Sequence, residues 1–389
     1  MKEYIEYCTG CGLCHSVKGI KLKKNQKGFL RPYNVKKDDV YFFKSVCPYY
    51  NQVLPDDNSC FWGDYIGAYS GFSTDDTTRY RASSGGIITS ICKYLIGEKL
   101  VDGIIEVKRD NENPLNTVVV ISHTEDEVEK AIGSRYIASS PLLDIKEMIL
   151  KNETYAFVGK PCDVLVLKNY INKYHDLENI KYTISFFCAG TPSVNANISL
   201  VNDMGVKNIE NIDYINYRGN GWPGKYVIKL KNGNSKSCDY IEAWSKFLGR
   251  DVQEICRFCF DGIGSQADIS CGDYWNIKNH KPVFNEGNGE NVIFSWTNMG
   301  NNILNDMYEK HLISLNPLDN FSRLDDCQPH HLKRRATLFS CTMAMRLMLK
   351  RSPKYNMSIL KKYTYKVSKS VQWSYFKGIV SRILKGKIN

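Results

Sequence analysis

Three cysteines within seven residues, Cys8, Cys11 and Cys14, constrain this chain more than any other feature. A C-x2-C-x2-C run lets three thiolates and nearby backbone N–H groups wrap a [4Fe–4S] cubane, as in ferredoxins. In two-cluster ferredoxins the run continues to a fourth cysteine followed by proline, and that cysteine ligates the other cluster. Here Lys18 and Gly19 stand in its place and no second trio follows, but a Cys-Pro remains at Cys47-Pro48. A first trio with the Cys-Pro of the missing second motif makes one complete site. Cys8, Cys11, Cys14 and Cys47 are therefore expected to hold one cluster. Structural zinc, the competing occupant, usually takes separated C-x2-C pairs. Cys60 is the rival fourth ligand, but no proline follows it.

A second site is assembled from distant parts. Residues 154–158 read as a strand, followed by Gly159-Lys-Pro-Cys-Asp163 and a helix to about Tyr174. Residues 182–187 read as another, followed by Cys188-Ala-Gly-Thr-Pro192 and a helix to about Met204. This strand–turn–helix repetition predicts an α/β fold with a largely parallel sheet. Cys162 and Cys188 then sit just past strand C-termini, where such sheets bind ligands. The positive helix N-termini that follow favour thiolates. Cys256-x2-Cys259 completes a plausible second set of four. The alternative is that Cys162 and Cys188 are small buried hydrophobes. The remaining cysteines lack ligand-like spacing.

Other elements follow from periodicity and turn chemistry. Residues 84–97 have helical spacing, 103–107 and 117–121 read as strands, and Thr124-Glu-Asp-Glu127 begins a helix with a capping box. Residues 212–217 and 226–231 read as antiparallel strands, with Asn232-Gly233 a hairpin turn. A helix is expected near 241–248, and strands at 267–274 and 292–296. The 389 residues divide into a small ferredoxin-like unit (1–60), an α/β body (61–331) and a tail (332–389). The tail holds 15 of the 52 Lys and Arg and no Asp or Glu, which leaves the body slightly acidic. The first residues lack the apolar core of a signal peptide, and no apolar run nears the ~18 residues that span a bilayer. A cytosolic location is expected, where clustered thiols read as metal ligands rather than disulfides.

Two short stretches are suited to phosphate. Ala82-Ser-Ser-Gly-Gly86 opens a helix, leaving N–H groups free, and Gly133-Ser-Arg-Tyr136 presents a guanidinium. Together with Cys8–Cys14, Gly159-Lys-Pro-Cys162, Phe187-Cys-Ala-Gly190, Arg218-Gly-Asn-Gly-Trp-Pro-Gly224, Cys256-x2-Cys259 and Ala267-Asp-Ile-Ser-Cys-Gly-Asp273, these motifs span residues 5–275. In this order they resemble the beta-subunit family of coenzyme F420-reducing hydrogenases and dehydrogenases. Cys271 is a minor departure.

The resemblance implies FAD, [4Fe–4S] clusters, and hydride exchange with a deazaflavin, or in plant relatives reduction of a chlorophyll intermediate by ferredoxin. Bacterial members also occur with surface-polysaccharide genes. Carried over, Ser83, Ser84, Gly85, Gly86, Ser134, Arg135, Tyr136, Gly159, Lys160 and Pro161 would hold FAD. Asn220, Trp222, Asp268 and Asp273 would lie near the isoalloxazine or the substrate.

The leading expectation is an iron–sulfur flavoprotein oxidoreductase acting on a small organic substrate. The alternatives are an electron-transfer subunit whose partner holds the substrate site, and a zinc-bound scaffold. No convincing G-x-G-x-x-G fingerprint offers a home to NAD(P)H. Lys18, Lys21, Lys23, Lys24 and Lys27 suggest docking of an acidic ferredoxin-like donor. In the tail, Trp373, Phe376, Val380, Ile383 and Leu384 fall on one helical face. That face would lie on an anionic membrane surface or dock on the body. No nucleic-acid-binding module is recognisable.

Overall fold

The computed structural model describes residues 3–52, 54, 60–386 and 388. A short hairpin of β1 (Leu22–Lys24) and β2 (Leu30–Pro32) opens the chain's strands. The following strands are β3 (Gly67–Ser73), β4 (Gly103–Arg109), β5 (Thr117–Ser122), β6 (Tyr155–Gly159) and β7 (Ile180–Phe186). Next come β8 (Ile212–Asn216), β9 (Lys225–Leu230) and β10 (Ser235–Asp239), which form a separate antiparallel sheet. The last are β11 (Ile269–Asp273), the hairpin β12 (Asn276–Lys278) and β13 (Lys281–Val283), β14 (Asn291–Ser295) and β15 (Ile313–Pro317).

Eight strands build the central sheet in the order β15-β3-β14-β11-β7-β6-β4-β5. Its centre, β11-β7-β6-β4, is parallel, as the strand–turn–helix rhythm predicts. Antiparallel pairings bring in β5 on one side and β14, β3 and β15 on the other. Five of the eight strands run in one direction.

Alternation along the strands divides the core between two faces. Ile104 and Ala156 face the helix Ile87–Gly97, which buries Ile87, Ile91 and Leu95. Ile105, Tyr155 and Phe157 face the helix Pro161–Tyr174 and its Val164 and Leu167. On that second face the N-terminal unit adds Leu13, Phe42, Phe43 and Val46 to the same cluster. β6 and β14 are buried nearly throughout, which explains their continuous apolar runs.

The C-terminal segment folds back onto the body. The helices Pro329–Leu347 and Lys369–Leu384 pack on one another and share a core with Trp62, Phe258 and Phe260. In the last helix Ile379 and Ile383 are buried, with Phe376 and Val380 packed beside them, while Trp373 and Leu384 are exposed. The apolar face predicted from spacing is thus centred one turn away from its ends, and its middle is spent on the protein's own surface. No described helix is long and apolar enough to cross a membrane.

Candidate functional site

Cys8, Cys11, Cys14 and Cys47 line one cavity, walled by Leu13, Leu30, Phe42, Phe43, Val46 and Tyr49. The loop carrying Cys8 and Cys11 turns at Gly12, whose φ of 96° suits glycine, into the helix Leu13–Lys18, which carries Cys14. A Cβ there would lie 2.5 Å from the Leu143 backbone. The helix Asp39–Val46 ends at Cys47, whose N–H donates to the Phe43 carbonyl at 3.0 Å. Burial pushes the Cys11 thiol up to about 12 and raises Cys14 and Cys47 as well. These thiols give up their protons to a bound metal far more readily than to water. Cys60, the rival ligand, is exposed and donates to the Gly63 carbonyl at 2.8 Å, away from this cavity.

The second quartet also comes together. Cys162 lies in the first turn of the helix Pro161–Tyr174, and Cys188 lies two residues past β7. The 3-10 turn Glu254–Phe258 carries Cys256 and is capped by Cys259. The Thr191 N–H points at the Cys256 sulfur at 3.4 Å. Burial raises Cys162, and the charges of Asp163, Lys160, Cys188 and Cys256 all reach it. Burial lifts Cys259 to about 12, with Arg334 opposing and Cys256 and Cys188 adding. Among the described residues no three His, Cys, Asp or Glu side chains close around a single ion. A tetrahedral zinc with Zn–S bonds of ~2.3 Å would draw its sulfurs to within ~3.8 Å of one another. In a cubane each thiolate holds a different iron, so its ligands stand around a cavity, as the first four do.

Two contacts tie the quartets together. Lys160 and Asp163 form a buried ion pair at 2.7 Å, and the Asp163 charge raises both Cys11 and Cys162. Gln253 receives a hydrogen bond from Arg31 at 3.1 Å and donates to the Thr9 carbonyl at 2.8 Å. It thereby joins the first loop to the segment bearing Cys256. Neither Arg31 nor Gln253 was visible as a site residue in the sequence.

The stretches suited to phosphate also meet. Ser83 Oγ accepts from the Ser134 N–H at 2.8 Å, and Ser84 Oγ donates to the Glu290 carbonyl at 3.0 Å. Gly85 packs against β14, where a Cβ would lie 2.7 Å from Asn291 Oδ1. Gly86 caps the helix Ile87–Gly97. The Arg135 guanidinium donates to the carbonyls of Gly133 and Ser134 at 3.0 Å, but its buried Nε has no partner. Burial pulls this group down to about 10. Tyr136 stands in an aromatic cluster with Tyr217, Tyr240 and Trp244. Gly159 ends β6, and Pro161 takes the first helical position, where its missing N–H costs nothing. Lys160 Nζ is committed to Asp163 and to Ser139 Oγ at 2.9 Å. The cradle therefore offers glycine backbone, two serine hydroxyls and an under-satisfied guanidinium.

The residues expected near the substrate fare differently. Asn220 is exposed, at a φ of 56° in the loop that rests on Tyr80. Trp222 is buried and stacks on Trp275 at 4.7 Å, so packing accounts for it. Asp273 takes a two-pronged ion pair from Arg218, at 2.7 and 2.8 Å, and a 3.0 Å bond from Trp222 Nε1. Asp268 lies just before β11, at the far end of that strand from Asp273. Thr183, Thr297 and Lys168 occupy both its oxygens, which makes it a strut between β7 and the helix Asn298–Glu309.

Comparison with known proteins bears on this arrangement. Residues 68–147 match the N-terminal region, and 152–320 the C-terminal region, of the family described as coenzyme F420 hydrogenase/dehydrogenase, beta subunit. An F420-dependent formate dehydrogenase subunit beta from Methanocaldococcus jannaschii is 31% identical over 213 residues, 52% of this chain and 52% of that protein. The chain thus spans about half the length of that relative. A coenzyme F420 hydrogenase subunit beta from Methanococcus voltae is 24% identical over 66% of this chain and 86% of that one. A chain of the F420-reducing [NiFe] hydrogenase complex from Methanosarcina barkeri superposes with a TM-score of 0.53 at 21% identity, covering 73% of this chain and 96% of that chain. At that identity the likeness speaks to the fold.

Proposed function

Because the chain belongs to the coenzyme F420 hydrogenase/dehydrogenase beta-subunit family, we propose that it is an iron–sulfur flavoprotein serving as the electron-transfer subunit of a larger redox assembly. The observation that carries this reading is the gathering of two four-cysteine groups near the Lys160–Asp163 pair, whose charge reaches a cysteine of each. Cys8, Cys11, Cys14 and Cys47 would hold one [4Fe–4S] cluster, and Cys162, Cys188, Cys256 and Cys259 the other. Ser83–Gly86, Ser134–Tyr136 and the backbone of residues 159–161 would hold FAD. When bound, the clusters supply one-electron transfer and the flavin joins it to two-electron chemistry. The apolar walls around the first cysteines keep water from that site. Asp268 and Asp273 keep β7, β11 and the loop 218–224 in place rather than meeting substrate.

The relatives' names carry coenzyme F420, so a deazaflavin is the two-electron partner placed first. The exposed lysines Lys21, Lys23 and Lys24 on the β1–β2 hairpin favour a second entry point, an acidic ferredoxin-like donor. Anaerobic mixing of the purified chain with reduced deazaflavin, reduced ferredoxin or NADH tests both. Bleaching of bound flavin by the first is expected. Bleaching by ferredoxin, slowed steeply by salt, would support docking at the hairpin. Bleaching by NADH alone would contradict the reading.

The cradle makes its own prediction. Arg135→Ala removes a guanidinium that would neutralise a pyrophosphate, so this variant should lose flavin on gel filtration. Retention of one flavin per chain would remove Arg135 from the binding site.

A further inference from the structure

The helix Pro329–Leu347 begins beyond residue 320, where the matched family region ends, yet it reaches the second group of cysteines. Arg334 Nη1 donates to the Cys188 carbonyl at 3.1 Å, and Nη2 donates to the Ala189 carbonyl. Its charge acts on both Cys188 and Cys259. The next residue fixes the helix in place: Arg335 is buried, donates to the Phe61 carbonyl at 2.7 Å and the Phe260 carbonyl at 3.2 Å, and faces Asp261 at 3.7 Å. His331 packs edge-on against Phe187, and Tyr355 from the following segment bonds to the Phe258 carbonyl. Two of the three chain segments that bear this quartet, 187–189 and 256–262, are therefore clamped by residues of the C-terminal segment.

We propose that Arg334 is the charge partner of the second cysteine quartet, a positioning residue that holds the cluster bound there at a raised reduction potential. The inference rests on the reading above, that these four cysteines ligate a cluster. Its physical basis is simple. A thiolate-ligated cluster is anionic and gains a further negative charge on reduction. A guanidinium stays protonated at any working pH, so it stabilises the reduced form more than the oxidised one. Lys160 contributes a second cation near Cys162 and Cys188, but its charge is offset by Asp163 at 2.7 Å. Arg334 forms no ion pair with a carboxylate among the described residues; besides the two carbonyls, its hydrogen-bonding neighbour there is His330. The basic character of the C-terminal segment thus has a use at the site itself, one that its amphipathic spacing does not reveal.

The test is a redox titration of the full chain, purified anaerobically and followed by electron paramagnetic resonance. Arg334→Gln should lower the midpoint of the signal that Cys259→Ala abolishes, by about tenfold in the one-electron equilibrium constant, which is ~59 mV. The signal that Cys11→Ala abolishes should stay where it was, and this also reports that the variant is folded. Arg334→Lys, which keeps the charge but not the fork, should return the midpoint most of the way to the wild-type value. If Arg334→Gln instead loses the second signal, its survival near the wild-type midpoint in Arg334→Lys supports the charge role. Loss in both variants overturns it in favour of packing. An unchanged second midpoint, or an equal shift in both, also overturns it. A wild-type chain with only one cluster signal would overturn the underlying ligand assignment and this inference with it, and is distinguished by the missing signal.

Discussion

Cys259→Ala should remove about half of the iron from the purified chain and leave the remaining cluster signal intact; Cys11→Ala should do the reverse. The expectation follows from the separation of the ligand sets. Cys11 lines a cavity with Cys8, Cys14 and Cys47. The charges that act most on Cys259 are those of Arg334, Asp261, Cys256 and Cys188. A [4Fe–4S] cube that loses one of four thiolates loses both a bond and the charge that balances its iron. The Cys259 thiol sits at about 12 through burial, so in the metal-free state it is a neutral hydrophobe whose replacement by alanine costs little packing. The large effect is therefore on metal content, with the fold reported by the surviving signal. Loss of both signals in both variants would mean that the two groups do not form separate sites.

Asp273→Ala should destabilise the protein by about 3–5 kcal/mol, the range seen when one member of a buried ion pair is removed. Arg218 is 3% exposed, donates to both Asp273 oxygens, and lies over the rings of Tyr240 and Trp275 at 4.6 and 4.9 Å. Without the carboxylate, its charge keeps the Pro223 carbonyl and the two ring faces but no counter-ion, and Trp222 Nε1 loses its acceptor. Against a total of about 5–15 kcal/mol, that loss is a large share of the margin. Asp273→Asn keeps an acceptor for Trp222 and should cost less. A urea midpoint for Asp273→Ala equal to wild type would show that Asp273 is not a strut and return it to the list of residues free to meet substrate.

Where the sequence was legible, a single local rule governed the outcome. Strand, Pro-Cys turn and helix at 155–174 follow from a short apolar run ended by Gly159 and by a proline suited to the first position of a helix. Thr124 caps its helix through the Glu127 N–H, and Asn232-Gly233 turns β9 into β10. The sequence was silent where neighbours decide. β3 reads Gly-Ala-Tyr-Ser-Gly-Phe-Ser, a poor strand by propensity, yet β14 and β15 flank it and bury most of it. β15 and the helix Asn298–Glu309 were likewise missed. The sequence marks Gly85 and Gly86 as a stretch suited to phosphate, and Gly85 is also required by the close approach of β14. Asp268 lay within a recognised motif, but the threonines that occupy its oxygens are far away in the chain. Arg31, Gln253 and Arg334 carried no local signal, because their importance lies in what they touch across the fold.

The most direct test of the account is the cofactor content of the full chain purified without oxygen. The account predicts about eight iron atoms, an equal amount of sulfide and one FAD per chain. Zinc in place of iron, or a colourless chain that neither takes up FAD nor reconstitutes with iron and sulfide, would contradict it.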